Sequence, residues 1–319
     1  MIIDTLTSPI ILFFALGILA GFARSDLAIP EAMAKAMAIY LMAAIGLKGG
    51  VEVSKSGFTD ALLITGAAGL ALSFLLPFPA FAMLRSFGRL GRTNAAAVAA
   101  HYGSVSLVTF ITANEMLKSA GLPAAGFMVA VLALMETPAI ISGLLLARRG
   151  RSDGGAAAAG SGMWHEVLLN ASVVLLVGAF VIGLVAGERG FAPIAPVFEN
   201  GYKGILCLFL LDMGLIAARR LRETRALTKR LALIGIVLPL INGQIGVVIG
   251  SLLGLDPGTA ALLGVLTASA SYIAVPAAMR LALPEADPGI YLSMSLGISF
   301  PFNIVINIAL IASVARMMG

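Results

Sequence analysis

The sequence predicts an all-α integral membrane protein in which ten transmembrane helices form a five-plus-five inverted repeat, with two broken, crossing helices at spans 4 and 9. Three observations predict this fold. First, 60% of the 319 residues are hydrophobic and only 12% are charged, whereas a soluble domain is roughly half apolar and about a quarter charged. Second, apolar stretches of spanning length recur along the whole chain. Third, motifs of the first half return in the second half in the same order.

The spans are placed by length, since a membrane-crossing helix needs about 20 mostly apolar residues. Ten stretches qualify, near residues 8–23, 30–47, 60–84, 94–117, 124–147, 165–186, 197–217, 230–252, 258–280 and 288–315. The longest connection, RRGRSDGGAAAAGSG (148–162), has the composition of a flexible linker. We therefore divide the chain into a first repeat (1–147), a cytoplasmic linker (148–163) and a second repeat (164–319).

The basic residues predict the orientation in the membrane. Lys and Arg concentrate in the connections that follow odd-numbered spans, with the largest group between Arg219 and Arg230. Basic connections stay in the cytoplasm. This places both termini on the periplasmic or extracellular side of a bacterial inner membrane. The formal charge of +5 is then explained by topology, with the lipid bilayer rather than nucleic acid as the partner.

Two sets of matching motifs indicate the internal repeat. PEAMAKAMAIYLMAAIGL (30–47) resembles PVFENGYKGILCLFLLDMGL (196–215), with Glu31 aligned to Glu199 and Lys35 to Lys203 at an offset of 168. METPAII (135–141) resembles SFPFNIV (299–305), with Glu136 aligned to Ser299 and Pro138 to Pro301 at an offset of 163. Each half holds five spans, so the second half enters the membrane upside down, as in many secondary transporters. Glu199 and Lys203 form an (i, i+4) pair in the favourable order, which we interpret as structural or as a contact between subunits.

Small polar residues in spans 4 and 9 predict the binding site. HYGSVSLVT (101–109) and TASASYIAVPAAMR (267–280) occupy matching positions of the two repeats. Pro276 has no N–H and clashes with the carbonyl of Tyr272, which loosens a helix. Irregular backbone at membrane depth survives only inside protein or along a water-filled cavity. The alternative is close helix packing by small residues. The predicted substrate-binding residues are Gly103, Ser104, Ser106, Ser269, Ala270, Ser271 and Tyr272.

A carboxylate inside span 5 predicts a cation site. Glu136 directly precedes Thr137 and Pro138, and intramembrane acids are costly and mark ion or proton paths. The alternative is a structural ion pair or a protonated, hydrogen-bonded acid. Asn303 could line an ion path or bond between helices. The predicted sodium ligands are Thr109, Glu136, Ser271 and Asn303.

Missing motifs limit the class of function. The chain has no phosphate-binding G-x-x-x-x-G-K-[ST] sequence and no H-E-x-x-H sequence. Its serines have no His and Asp at a convincing spacing for a hydrolase. We therefore expect no enzyme, no cofactor and no metal beyond sodium. An ion gradient is the natural driver of transport.

The motifs together resemble the sodium-dependent bicarbonate transporters best known from cyanobacteria. The resemblance is carried by AIGLKGG (44–50), GSVSLVT (103–109), METPAI (135–140), ASASYIAVPAAMR (268–280) and PEADPGIYLSMSLGISFPFNI (284–304). It implies gate and core subdomains, a homotrimer and a PII-like regulator on the cytoplasmic face. It also implies bicarbonate held at the two breaks by hydroxyls and backbone amides, with sodium close by. Gly103 and Ser106 fit the first break, and Ser269 and Ser271 fit the second.

Several positions depart from the cyanobacterial pattern. Leu107 and Val108 stand where those members carry Gly and Ser, Tyr272 and Glu136 stand where they carry Asp, and the central linker has no acidic insert. Our hypothesis is a sodium-coupled symporter of a small anion, bicarbonate first, with elevator-like alternating access. Two alternatives stay open. One is a related sodium-coupled organic-anion symporter or exporter, which Leu107 and Tyr272 favour. The other is a membrane sensor that binds an anion without moving it.

Overall fold

A computed structural model describes residues 7–57, 59–148, 171–223 and 227–319. This part of the chain is built of helices joined by short turns and contains no strand. The predicted all-α class is therefore confirmed. The predicted linker at 148–163 lies outside the described residues, apart from its first residue.

The helices follow the predicted apolar stretches in order. The first half contains α1 (Pro9–Phe22), α2 (Glu31–Ser56), α3 (Asp60–Leu75), α4 (Pro77–Ser86), α5 (Arg92–Gly103), α6 (Leu107–Ser119), α7 (Met128–Met135) and α8 (Pro138–Arg148). The second half contains α9 (Ala171–Phe191), α10 (Tyr202–Glu223), α11 (Lys229–Leu252), α12 (Pro257–Ala268), α13 (Ala274–Ala282), α14 (Pro288–Leu292), α15 (Phe300–Phe302) and α16 (Ile308–Met318). Three π-helical segments accompany them, π1 (Pro196–Asn200), π2 (Ser293–Ser299) and π3 (Asn303–Asn307).

Seven helical stretches of the described chain are long and apolar enough to cross a membrane. They are Glu31–Lys55, Asp60–Ser86, Arg92–Ser119, Met128–Arg148, Val174–Phe191, Lys229–Leu252 and Pro288–Met318. The helices α1 and α12 are apolar but shorter, and α10 carries Asp212 in its middle and arginines near its end. The chain is thus a multi-pass membrane protein, while the count of ten spans stays a prediction.

Burial separates the lipid-facing helices from the central ones. Helix α9 exposes Val174, Val177, Val181 and Val185 along one stripe, which is the surface expected of a helix against lipid. By contrast, the most apolar stretch of Arg92–Ser119 is completely buried, and every residue of α12 after its first is buried. The half-helices α5, α6 and α12 therefore lie at the centre of the molecule, shielded from lipid.

Glycines bring helices of the two halves into close contact. A Cβ atom added at Gly183 in α9 would collide with the backbone oxygen of Leu47 in α2. Likewise, a Cβ atom at Gly214 in α10 would collide with the backbone oxygen of Phe14 in α1. Small residues permit such close approach of membrane helices. The pairs α2–α9 and α1–α10 thus join the first half of the chain to the second.

Contacts between connections group them on two faces, as the basic-residue pattern predicts. Arg92, after span 3, donates a 2.8 Å hydrogen bond to the carbonyl of Leu146 at the end of span 5. On the other face, the ammonium of Lys55, after span 2, lies 3.1 Å from the Glu188 carboxylate at the end of span 6. The connections that follow odd-numbered spans and those that follow even-numbered spans thus lie on opposite faces in these two contacts.

The structure pairs Glu199 and Lys203 with other partners than predicted. Glu199 lies 3.8 Å from Lys48, and Lys203 lies 2.6 Å from Glu115 in α6. The reason is local, because Glu199 belongs to π1 and Lys203 to the start of α10. They are not on one continuous α-helix, so their four-residue spacing does not bring the charges together. Lys203 instead ties α10 to the interrupted span 4.

Candidate functional site

The two breaks of the central helices meet and hydrogen-bond to each other. The first break, Ser104–Ser106, separates α5 from α6, and the second, Ser269–Ile273, separates α12 from α13. The N–H of Ser106 donates to Oγ of Ser269 at 2.9 Å. The N–H of Ser271 donates to the carbonyl of His101 at 2.9 Å. Buried backbone donors that would otherwise be orphaned are thereby satisfied by the opposite break.

Ser106 caps α6 and keeps a hydroxyl proton to offer. Its Oγ accepts hydrogen bonds from the N–H of Thr109 at 3.2 Å and from the hydroxyl of Thr109 at 3.0 Å. A hydroxyl has two acceptor lone pairs and one donor proton. Both acceptor positions of Ser106 are therefore occupied, and its proton is left to donate. The positive end of the α6 dipole lies at the same point.

Ser271 provides a second donor across the break. Its Oγ accepts a long 3.4 Å hydrogen bond from the N–H of Val275, so its own proton also remains to donate. The side chain is 2% exposed. Two hydroxyl donors and the N-terminus of α6 therefore face one narrow space, which is the chemistry that an anion needs.

A small cleft lies between the two breaks and a carboxylate. Its walls are Val105, Ser106, Leu107, Glu136, Ser271, Tyr272, Ile273 and Ala274. It has room for about one water molecule in this conformation. The walls contain no Lys or Arg, so an anion bound here would depend on hydroxyls, backbone amides and a cation that enters with it.

Glu136 is the charged residue of the cleft. It lies at the junction of α7 and α8, and it is only 8% exposed. Its backbone is fixed by Ser104, whose hydroxyl donates to the Glu136 carbonyl at 3.1 Å. Its Oε2 atom has no hydrogen-bond partner among the residues that the structure describes. A buried carboxylate oxygen without a partner is costly, and a bound cation would remove that cost.

Tyr272 forms an aromatic wall of the cleft. Its ring packs edge-on against Phe300 at 5.5 Å between centroids, and Phe300 packs on Phe14 of α1 at 5.3 Å. Its hydroxyl is buried near Ser106 without a well-aligned hydrogen bond to the described residues. The ring narrows the cleft, and the hydroxyl is a further polar group that a ligand could use.

The remaining predicted site residues support the cleft from outside its walls. A Cβ atom at Gly103 would collide with the ring of Pro77, so this glycine permits close packing of α5 against span 3. Ser269 donates to the carbonyl of Leu266 at 2.8 Å. Ala270 is buried in the apolar core. Thr109 donates two hydrogen bonds to Oγ of Ser106, from its N–H and from its hydroxyl.

Asn303 also lies outside the cleft walls. Its amide nitrogen donates to the carbonyl of Ala268 at 2.9 Å, and its oxygen accepts from Asn307 at 2.8 Å. It therefore fixes the end of α12, directly before the second break. Of the four predicted sodium ligands, Glu136 and Ser271 line the cleft, whereas Thr109 and Asn303 support the two breaks. Among the described residues, no cluster of three His, Cys, Asp or Glu side chains could hold a metal ion.

One polar network was missed by the sequence analysis. The hydroxyl of Tyr102 lies 2.6 Å from Oγ of Ser299, which in turn donates to the carbonyl of Gly235 at 2.6 Å. Pro239 lacks the N–H that would bond to this carbonyl in an α-helix. The interior proline in span 8 was the signal that could have revealed the network. Ser299, the predicted repeat partner of Glu136, therefore has a structural role in this network and does not line the cleft.

The comparison with known families decides the family. The sequence model of the Na+-dependent bicarbonate transporter superfamily matches residues 9–316. The chain belongs to this superfamily. The match includes both breaks and Glu136, so the suspected resemblance is confirmed over nearly the whole chain. No curated protein matches the chain. Membership in this superfamily identifies the protein as a transporter.

Proposed function

We propose that this superfamily member is a sodium-coupled secondary transporter of bicarbonate. The observation that carries the proposal is the cleft in which two hydroxyl donors, Ser106 and Ser271, share walls with Glu136. Bicarbonate is a small, planar anion rich in acceptor oxygens. The free protons of the two serines and the first N–H groups of α6 suit those oxygens.

Glu136 supports the coupling to a cation. A carboxylate and a substrate anion in one buried cleft repel each other strongly, because the local dielectric is low. A sodium ion between them would remove the repulsion, and the oxygens of the carboxylate and of bicarbonate would give Na+ the coordination that it prefers. The anion would then bind well only when sodium is present, which is the thermodynamic basis of symport.

The movement we propose is elevator-like alternating access. The cleft holds about one water molecule, and bicarbonate is larger, so the two breaks must part for binding. The close contacts of Gly183 with Leu47 and of Gly214 with Phe14 support a separate bundle of α1, α2, α9 and α10, past which the interrupted helices would move.

Matching glycine contacts in the two halves support the inverted repeat. Gly214 is offset by 168 positions from Gly46, and Gly46 packs against α9 as Gly214 packs against α1. We include in the proposal ten spans, division into repeats at 1–147 and 164–319, and periplasmic termini in a bacterial inner membrane. The homotrimer and the PII-like regulator remain expectations of the resemblance.

An organic-anion transporter is the second candidate, and the aromatic wall of Tyr272, Phe300 and Phe14 favours it. A thermal-shift screen of purified protein with bicarbonate and a series of carboxylates separates the two. Stabilisation by carboxylates alone would favour the second candidate.

The main test uses purified protein in liposomes. Labelled bicarbonate uptake is measured with an inward sodium gradient and with a matched potassium gradient. We expect uptake that sodium stimulates. Equal uptake in both gradients, at the level of protein-free liposomes, would refute the proposal. Binding in the thermal-shift screen without any flux would instead indicate a sensor.

A further inference from the structure

A large cavity lies beyond the cleft, between α2, α6 and the end of α9. Its volume is about 600 Å3. Helix α2 contributes Lys48 and Lys55 to its walls, and α6 contributes Phe110, Asn114 and Lys118. The cavity lies on the face that carries the Lys55–Glu188 ion pair, which the basic-residue pattern predicts to be extracytoplasmic.

One stripe of α6 connects the cavity to the cleft. Leu107 lines the cleft, and Phe110, Asn114 and Lys118 line the cavity. Successive steps of three, four and four residues keep these side chains on one face of a helix. The stripe is about 17 Å long, at about 1.5 Å per residue. Cleft and cavity therefore follow each other along the same helix face.

Phe110 stands on the stripe between Leu107, which lines the cleft, and Asn114, which lines the cavity. It is only 1% exposed and belongs to the apolar core, yet it forms part of the cavity wall. It stands one turn from Ser106, the cap of α6 and a wall of the cleft. An anion that leaves the cavity along this stripe meets the Phe110 ring before it meets the Ser106 hydroxyl.

Lys118 differs from the other two lysines of the cavity. Lys48 lies 3.8 Å from Glu199, and Lys55 lies 3.1 Å from Glu188. Lys118 is exposed and has no ion-pair partner among the described residues. The walls hold three lysines and three carboxylates, and these carboxylates, Glu52, Glu188 and Glu199, lie with Lys48 and Lys55. The positive potential is therefore local to Lys118, where it raises the concentration of anions. Asn114, one turn deeper, is half-buried and offers an amide donor.

The geometry points to this cavity as the access vestibule for a small oxyanion. Lys118 attracts the anion, Asn114 receives it, and Phe110 is the barrier between the vestibule and the cleft. The identity of the anion rests on the proposed function, whereas the vestibule itself can be tested without transport.

The test labels single cysteines in full-length protein in sealed vesicles of defined orientation. The background is Cys207→Ala, because Cys207 is the chain's only cysteine. Asn114→Cys is treated with membrane-impermeant methanethiosulfonates, one carrying a sulfonate and one carrying a trimethylammonium group. We expect labelling from the face that carries Lys55, faster with the sulfonate. Ala113→Cys is the matched control, since Ala113 is fully buried on the same turn, and it should stay unlabelled.

Adding Lys118→Gln tests the role of the charge. Removing one cation near the reacting thiol should lower the ratio of sulfonate to trimethylammonium labelling roughly threefold at low salt, and less at high salt. An unlabelled Asn114→Cys, labelling of Ala113→Cys at the same rate, or an unchanged ratio would overturn the inference. If the wild-type protein takes up no bicarbonate while this labelling pattern holds, the proposed substrate is wrong and the assignment of the vestibule is retained.

Discussion

The N–H of Ser106 donates a 2.9 Å hydrogen bond to Oγ of Ser269. The two residues are 163 positions apart, which is the offset of the predicted repeat in this region. Ser106 is the N-cap of α6, and Ser269 is the C-cap of α12. The bond therefore joins the start of α6 to the end of α12. It holds the two breaks together beside the cleft.

Replacing Ser269 by Ala should destabilise the protein by about 1–3 kcal/mol, because the buried N–H of Ser106 would lose its acceptor. Sodium-driven uptake should fall with it, since the relative position of the two breaks is no longer fixed. Stability is measured as the fraction of monodisperse protein that survives heating in detergent, by size-exclusion chromatography.

Ser313→Ala is the control for this change. Ser313 donates to the carbonyl of Ala309 on its own helix and is only partly buried. We expect little change in heat tolerance or uptake. Equal loss in both variants would show that the cross-break hydrogen bond has no special importance.

Replacing Ser271 by Ala should affect the substrate more than the fold. The variant keeps the N–H that bonds to His101 and loses only the hydroxyl, whose proton faces the cleft. A hydrogen bond to a charged group contributes about 1.5–3 kcal/mol, so the KM for bicarbonate should rise roughly ten- to hundredfold. Heat tolerance should fall less than in Ser269→Ala, because the fold loses only the long 3.4 Å hydrogen bond from the N–H of Val275.

Uptake as a function of bicarbonate concentration measures this effect, with Ser86→Ala as the control. The Ser86 hydroxyl donates to the carbonyl of Ala82 at an exposed position outside the cleft. An unchanged KM in Ser271→Ala would remove Ser271 from the substrate site.

Local sequence signals predicted the two breaks well. Small polar residues, with Pro276 shortly after the second run, stand where α5 and α12 end. The sequence could not separate residues that line the cleft from residues that support it. Ser104 and Ser106 are two positions apart, yet the first bonds to the Glu136 carbonyl and the second faces the cleft. The backbone conformation within a break decides which side chain faces the cleft, because no helical periodicity applies there.

The sequence also could not predict which distant residues form ion pairs. Glu199 and Lys203 have the spacing of an intrahelical pair, but π1 interrupts the helix and each meets a residue from the other half of the chain. The ion pair of Lys203 with Glu115 depends on how α10 approaches α6. Tertiary packing therefore determined the partner, not the local spacing.

Replacing Glu136 by Gln should weaken the dependence of uptake on sodium. The variant keeps the shape of the side chain and removes the charge that would attract the cation. Folding should be retained, because a buried carboxylate oxygen without a partner does not stabilise the protein. The sodium concentration for half-maximal uptake should rise at least about tenfold, as expected from losing a charged ligand worth about 1.5–3 kcal/mol.

Glu136→Asp is the matched control, because it keeps the charge on a shorter side chain. It should retain sodium stimulation with a smaller shift in the sodium titration. The assignment of Glu136 to the cation site would be wrong if the Gln variant titrated with sodium like the wild type.

Replacing Gly183 by Ala tests the close contact of α9 with α2. The new Cβ atom would collide with the backbone oxygen of Leu47 and lie 2.9 Å from its carbonyl carbon. Backbone cannot move aside as a side chain can, so the helices must separate, at a cost of about 1–3 kcal/mol. Heat tolerance and uptake should both fall.

Gly178 lies on the same helix and has no atom within 4 Å of an added Cβ. Gly178→Ala should therefore leave stability within about 1 kcal/mol of the wild type or raise it, since Ala favours helix. If both variants lost stability alike, the contact between Gly183 and Leu47 would not be what holds these two helices together.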